Sequence, residues 1–421
     1  MALERASSCE GQCYHRAKVA PQFAPKQQHS YNAPMRTEEG SSGLINGFEL
    51  GPIRPPSEAY SLLIRATRNC PWNKCLFCHC YKDTKFSLRT VEEIKRDIDT
   101  AREMRDYIEE ASWRLGYSGN VQMAAAAILN QPYGDASLRN VALFLYAGGE
   151  TAFLQDSNTL IMRTPELIEV LNYLHVAFPS LTRVTSYSRA HTAAHKTLDE
   201  LKAIREAGLV RIHMGLETGH DPLLEYIQKG TTSEQQISSG QKLVEAGYSL
   251  CEYVMPGLGG EAMSEGHVKD TARVLNAVNP EYIRLRSLHV SPTMPLWERV
   301  QSGEFKLLSE DAVVGEIRGM LELLEVDSFF KSDHIVNLLM EIEGMLPQDK
   351  ADMLAIIDNY LEMPDEERLN FQLGRRLPVY EKLADMEDPN RHDRVAEQMA
   401  RMRERGDDIN EAVRRLKDRF I

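Results

Sequence analysis

The sequence predicts an α/β fold in which a parallel sheet curls into a barrel or an open three-quarter barrel. Two observations carry that reading. Apolar, near-continuous runs recur six times between residues 61 and 290, and each except the last is followed by an amphipathic stretch of helical period. Strands buried on both faces read as continuous apolar runs, the mark of a parallel sheet covered by its own crossover helices. The helical stretches also carry their own start and stop signals, which sharpens the alternation.

The elements follow in order. "SLLIRAT" (61–67) is the first strand, and "TVEEIKRDIDTAREMRDYIEEASWRL" (90–115) is a long helix whose Thr90 and Glu93 fit a capping box. Residues 116–140 read as an insertion, after which "VALFLYA" (141–147) is the second strand. "TPELIEVLNYLHVAF" (164–178) is a helix with proline in its first turn, and "LTRVTSYS" (181–188) is the third strand. "TLDELKAIREAG" (197–208) is a helix stopped by Gly208, followed by the fourth strand, "LVRIHMGLE" (209–217). Two helical stretches, "DPLLEYIQKG" and "TSEQQISSGQKLVEAG", lead to the fifth strand in "YSLCEYVMPGLGG" (248–260). "SEGHVKDTARVLNAVNP" is helical, and "YIRLRSLHV" (282–290) closes the series.

The flanks differ in composition. Residues 1–58 are rich in Gln, Ser, Gly and Pro and read as a mobile lead-in, extended at "GPIRPPSEAY" (51–60). Residues 59–300 hold the six units, and 301–421 read as a charged helical region without strand signals from about 305 onward. The formal net charge of −13 argues against a broad nucleic-acid or anionic-membrane surface and leaves room only for a local basic groove. No apolar run approaches the roughly 20 residues that span a bilayer. The first residues lack a secretory pattern, and seven cysteines, an odd and clustered number, argue against a disulfide framework. The expected compartment is therefore the cytoplasm.

Four of those cysteines crowd the loop after the first strand, in "NCPWNKCLFCHCYKDTKF" (69–86). That loop leaves the strand's carboxyl end, the face that carries the active site in parallel α/β barrels. The spacing is Cys70-x4-Cys75-x2-Cys78, with Cys80 two residues on. Three thiolates on one loop can hold three irons of a cubane cluster and leave the fourth iron open to substrate or cofactor. Phe77 would pack beside whatever fills that position. A structural zinc on all four thiols and a redox thiol set are the competing readings. C-x-C at 78–80 strains two ligands onto one tetrahedral metal, so the cluster is preferred. Cys9 and Cys13 read as exposed, unligated thiols and Cys251 as a small buried hydrophobe.

With the cysteine loop in place, the chain resembles the radical S-adenosylmethionine (SAM) enzymes over about 60–300. The family's usual loop is C-x3-C-x2-C, and here the first gap is one residue longer. The resemblance extends to "YAGGE", "HMGLETG" and "MPGLGGE", and to "GPIRPPSEAYSLLIRATRNCPWNKC", "AGGETAFLQDS" and "SDHIVNLLMEIEGMLPQDK" of a stand-alone, poorly characterised subgroup. It implies a partial (β/α)6 barrel of the radical SAM type. By the same resemblance, Cys70, Cys75 and Cys78 hold a [4Fe–4S] cluster. Gly148, Gly149 and Glu150, read as ending the second strand, meet the amino group of SAM. Glycines let backbone oxygens approach an ammonium, and a carboxylate offsets its charge. Ser186, Ser188 and Arg189 would take the SAM carboxylate and ribose, Gly257 and Gly259 the ribose and adenine, and Val290 the adenine.

Glu217 resembles the acidic residue that many members turn toward cofactor or substrate; the competing reading is a helix cap. Tyr187 and His213 are candidate inward-facing acid–base or radical-quenching groups, with core packing as the alternative. Arg284 and Arg286 share a face by period two and, if inward, would attract an anionic substrate. "KSDHIVN" (331–337) offers Asp333, His334 and Asn337 at a turn-to-helix start; the Asp333–His334 pair could close over substrate, and the competing reading of Asp333 is a helix N-cap. His191 and His195 are four apart without a third ligand and read as a surface pair. No second cysteine cluster follows the barrel, and too few residues precede it for a cobalamin domain.

The resemblance thus implies reductive cleavage of SAM to a 5′-deoxyadenosyl radical that abstracts hydrogen from an unidentified small-molecule substrate. Flavodoxin or ferredoxin would supply the electron. The alternatives are a cluster- or zinc-containing barrel that binds or senses without catalysis, and transfer of the aminocarboxypropyl group of SAM.

Overall fold

The computed structural model describes residues 46–132 and 134–420. Cys9, Cys13 and the lead-in up to residue 45 lie outside the described residues.

The fold is α/β, built on one eight-stranded sheet. The chain runs through β1 (Leu62–Arg65), a two-stranded ribbon of β2 (Thr67–Arg68) and β3 (Ser87–Leu88), α1 (Val91–Arg114), α2 (Val121–Leu129), α3 (Ala136–Tyr146) and β4 (Thr151–Gln155). It continues through α4 (Thr164–Ala177), β5 (Arg183–Ser188), α5 (Ala190–His195), α6 (Leu198–Glu206), β6 (Leu209–Glu217), α7 (Asp221–Tyr226), α8 (Ser233–Glu245) and β7 (Ser249–Val254). Then come α9 (Gly260–Val278), β8 (Tyr282–Leu285), α10 (Leu296–Gln301), α11 (Glu310–Leu323), β9 (Phe329–Lys331) and β10 (Glu343–Met345). Four helices end the chain, α12 (Lys350–Leu361), α13 (Asp365–Arg376), α14 (Pro389–Glu404) and α15 (Ile409–Lys417).

The strand order is β1-β4-β5-β6-β7-β8-β9-β10, parallel throughout except for the antiparallel β9–β10 pair. Right-handed crossovers in a sheet whose order never reverses put the connecting helices on one face. Alternation and register then sort every strand residue. Leu62, Ile64, Ala152, Leu154, Ile212, Met214, Leu250, Val254, Ile283 and Leu285 face the helices and are buried with Ile94, Ile98, Leu171, Ile204 and Leu275. Each fully buried Leu, Ile or Val contributes roughly 1.5–3 kcal/mol. The opposite, inner face is polar and aromatic. Register aligns Arg65 with Gln155, Phe153 with Thr185, Tyr187 with His213, His213 with Cys251, Tyr253 with Arg284, and Arg284 with Lys331. A face of that composition is not built for packing alone.

Residues 49–58 lie against this inner face. The Gln155 side chain bonds the Gly51 N–H and the carbonyls of Gly51 and Ile53. At the amino end of the strands, the fully buried Glu58 meets Ser61 at 2.5 Å, Arg183 at 3.5 Å and His213 at 3.6 Å. Burial works to raise the Glu58 pKa, but those partners outweigh it and hold the carboxyl down to about 2. Burial pushes His213 to about 4 despite Glu58, so its ring is neutral.

Two expectations are overturned. "VALFLYA" is not a strand: it belongs to α3, whose cap Asp135 accepts from the Ser137 and Leu138 N–H groups. The second strand is "TAFLQ", ten residues further on. A short apolar run does not distinguish strand from buried helix, and here the helix wins because it buries only Val141, Ala142 and Phe144 of that run. The region after 305 also contains strands: β9 and β10 extend the sheet, each three residues long and too short to show a period.

Candidate functional site

The carboxyl edge of the sheet gathers the chemistry. The cysteine loop rises from the β2–β3 ribbon, in which Thr67 pairs with Leu88 and Arg68 with Ser87. Asp156, the first residue after β4, pins both ends of the loop. It is fully buried and accepts from Arg65 at 2.8 and 3.1 Å, from the Asn69 N–H at 2.9 Å, and from the Tyr81 hydroxyl. Inside the loop, the Asn73 N–H lies 3.5 Å from Cys70 Sγ and the Asn73 amide donates to the Tyr81 carbonyl. Outside it, Leu76 N–H donates to Ile227 O, Leu296 N–H to Leu76 O, and Trp72 Nε1 to Gln228 O. The loop is thus held on three sides by other elements.

Cys70, Cys75, Cys78 and Cys80 are all half-buried free thiols. Burial pushes the Cys75 thiol up. Cys78 and Cys80 share a hydrogen bond that draws Cys78 down to about 6 and pushes Cys80 up, so the pair keeps its proton on Cys80. The cations Lys229 and Arg189 face Cys75. Lys229 Nζ sits 2.9 Å from Glu217 Oε1 and 5.4 Å from the Phe77 ring centre. Burial opposes its charge, but Glu217 and Cys75 outweigh that and raise its pKa. Arg189 stacks 5.1 Å from the Trp72 ring and donates to the Lys229 carbonyl at 2.8 Å. Among the described residues no three His, Cys, Asp or Glu side chains converge on one ion. A tetrahedral zinc needs thiolate sulfurs within roughly 4 Å of one another, whereas a cubane takes each thiolate on a different iron. Three half-buried thiols beside two cations therefore suit an anionic cluster better than a single zinc.

The other expected residues divide. Phe77 bridges two apolar clusters, one of Leu76, Val290, Leu296 and Phe305, the other of Leu223, Ile227, Met255 and Leu258. Val290 therefore packs with the cysteine loop, as a core residue of that edge. Glu217 ends β6 with φ 61°, and a β-carbon on Gly215 would fall 2.4 Å from its carboxylate, so glycine there leaves the Glu217–Lys229 pair its place. Gly257 and Gly259 follow β7 at the same edge. The Gly257 N–H donates to Glu316, which burial pushes up to about 7. Tyr187 is on the inner face, its ring 5.1 Å from Phe153 and 5.9 Å from His213. His334 follows β9, and burial, with Arg286 nearby, pushes it down to about 3.

Five of the expected residues fail on placement. Gly148, Gly149 and Glu150 precede β4 instead of following a strand, so they lie at the amino edge, away from the thiols. Gly148 and Gly149 have φ of 109° and 71°, and their N–H groups bond Leu145 O and Phe144 O in a Schellman stop to α3. The Glu150 carbonyl receives the Thr182 N–H. Ser186 faces the helices, donating to Leu154 O at 2.8 Å with the Thr159 hydroxyl 2.5 Å away, because the inward position in that stretch belongs to Tyr187. Ser188 shares that face and donates to Asn158 at 3.4 Å. What the sequence reading missed is the segment that actually ends and follows β4, Gln155, Asp156 and Asn158, and also Lys229. The signal was there: "QDSN" puts four polar side chains at the end of an apolar run.

Of the remaining candidates, His191 and His195 are exposed neighbours on α5 with ring centres 4.4 Å apart, Asn337 bonds the Ser287 N–H and Leu285 O, and buried Cys251 is pushed up to about 12 by desolvation. No helix among the described residues is long and apolar enough to cross a membrane.

The chain is 25% identical over 135 residues to the tRNA uridine(34) acetyltransferase of Methanocaldococcus jannaschii, covering 32% of this chain and 23% of that protein. It is 20% identical over 190 residues to the uncharacterized protein YtqA of Bacillus subtilis, covering 44% and 58%. The chain thus spans less than two thirds of the length of these relatives. Among solved structures, coproporphyrinogen III oxidase of Escherichia coli, a radical SAM enzyme, is similar at 15% identity with a TM-score of 0.38, covering 62% of this chain and 50% of that one. The sequence model of the Radical SAM superfamily matches residues 64–273, from β1 through most of α9. Through that stretch the chain belongs to the Radical SAM superfamily.

Proposed function

We propose that the chain is a radical SAM enzyme acting on a small molecule held against the inner face of the sheet. The observation that carries the reading is the cysteine loop itself: three half-buried thiols, spaced x4 and x2, fixed at the carboxyl edge beside Lys229, Arg189 and Glu217. Cys70, Cys75 and Cys78 would hold the [4Fe–4S] cluster that the superfamily uses with SAM. When bound, that cluster supplies the electron that cleaves SAM to methionine and a 5′-deoxyadenosyl radical.

The chain's own residues do the rest. Arg65 and Asp156 lock the loop to β1 and β4. Glu217 holds Lys229 through Oε1 beside Cys75, and its other oxygen would take a ligand ammonium. Phe77 and Val290 close the apolar wall of that edge and exclude water. Tyr187, His213 and Phe153 line the inner face beneath it. The reductant would be a flavodoxin or ferredoxin.

Anaerobic reconstitution tests the reading. About four irons and four sulfides per chain are expected, with 5′-deoxyadenosine and methionine formed on reduction with SAM. Colourless protein with one zinc per chain overturns it. Methylthioadenosine as product moves the chemistry to aminocarboxypropyl transfer.

A further inference from the structure

The inner face carries many cations, and nearly all are answered by the protein. Arg65 meets Glu49 and Asp156, Arg183 meets Glu58, Arg284 meets Asp333 at 3.0 Å, Lys331 meets Glu343 at 2.9 Å, and Lys229 meets Glu217. Arg286 differs. It is half-buried, and among the described residues its guanidinium has neither a carboxylate nor a hydrogen-bond acceptor within reach. Its direction follows from the ladder. The Arg286 N–H donates to Val254 O at 2.9 Å, so β8 runs on in register beyond Leu285, and alternation sets Arg286 on the inner face with Arg284. The groups that feel its charge are Tyr187 on β5, His334 after β9, and His79 and Cys80 on the far limb of the cysteine loop. These come from three separate elements, so the Arg286 guanidinium lies among them, on the inner face.

We propose that Arg286 is the anchor for an anionic group, carboxylate or phosphate, on the substrate. The inference rests on the radical SAM reading above. A guanidinium kept half-buried without a partner is costly, and a ligand oxyanion is the natural counter-charge, bound bidentately. The SAM carboxylate has another cation to meet: Arg189 faces Cys70 and Cys75, the opposite limb of the loop from Cys80. The rings of Phe153, Tyr187 and Tyr253 lie on the same inner face. The substrate class is therefore a small acid, or phosphate ester, with an apolar body.

The test uses reconstituted, SAM-loaded full chain and the variants Arg286→Gln and Arg286→Lys. Inorganic phosphate and benzoate are each titrated by calorimetry, which reads binding without turnover. Uncoupled formation of 5′-deoxyadenosine under reduction is measured alongside. The expected result is saturable binding of at least one anion to the parent protein, weakened roughly ten- to a hundredfold in Arg286→Gln and partly restored in Arg286→Lys. Uncoupled cleavage of SAM stays within about twofold of the parent in both variants. Stronger binding of phosphate marks a phosphate ester, and stronger binding of benzoate a carboxylate. Equal anion binding by parent and Arg286→Gln, or none by the parent, overturns the inference. So does loss of SAM cleavage in Arg286→Gln, which would assign the residue to SAM. If the parent binds anion through Arg286 yet forms no 5′-deoxyadenosine, the anchor stands and the radical SAM reading falls.

Discussion

The two ends of the inner face hold the same kinds of residue and treat them differently. At the amino edge, Glu58 is fully buried and has its counter-charge within the protein: Ser61 donates to it at 2.5 Å and Arg183 stands 3.5 Å away, beside neutral His213. The glycines there stop a helix. At the carboxyl edge, four thiols remain free, the Glu217–Lys229 pair stands beside them, and Arg286 has no counter-charge among the described residues. A buried charge with its partners supplied is structure. A buried or half-buried one without them is a place for something else.

Substitutions can break this contrast. The largest effect is expected at the thiols. Cys75→Ser should abolish cluster incorporation, while Cys80→Ser keeps it, as iron per chain after anaerobic reconstitution will show; equal loss in both would make Cys80 a ligand. Asp156→Ala comes next. It leaves Arg65 without its buried partner and frees both ends of the loop, which should cost about 3–5 kcal/mol in denaturant unfolding. Arg65→Met combined with it should recover part of that loss.

The amino edge should respond to pH instead. The Glu58 pKa is lowered in the folded chain from 4.5 to about 2, so its contribution is complete above the unfolded value and is lost as pH falls from about 4.5 to 2. That shift corresponds to about 3 kcal/mol at neutral pH. Glu58→Gln should flatten the acid limb of the stability curve in that window and leave reductive cleavage of SAM intact. The smallest effect is expected at Gly149→Ala, where positive φ penalises a β-carbon by about 1–2 kcal/mol. Its apparent affinity for SAM should match the parent, and so should that of Glu150→Gln. A lowered SAM affinity in either would return the glycine pair to the carboxyl edge.

Local signals made much of this protein legible. The capping boxes at Thr90, Thr197 and Thr232 are local chemistry and stand in the structure as three helix starts. The nine-residue strand Leu209–Glu217 is long enough for its pattern to speak, and its bounds match the expectation. The seven residues of "VALFLYA" had no such margin. Misplacing that one strand moved the glycine pair to the wrong end of the sheet and hid Asp156. Ser186 and Ser188 failed for a related reason: the strand was right, but its facing depends on which neighbour the core claims, and register supplies that.

The sequence by itself determined the α/β alternation, the cysteine spacing and the superfamily, because these rest on residues close together in the chain. Tertiary structure alone decided which end of the sheet each loop occupies, which face each strand residue takes, and which charges find partners. Asp156 reaches Arg65 across 91 positions, and Arg284 reaches Asp333 across 49. Pairings at that separation are set by the order in which strands join the sheet, so Arg286 stands out only once the others are seen to be taken.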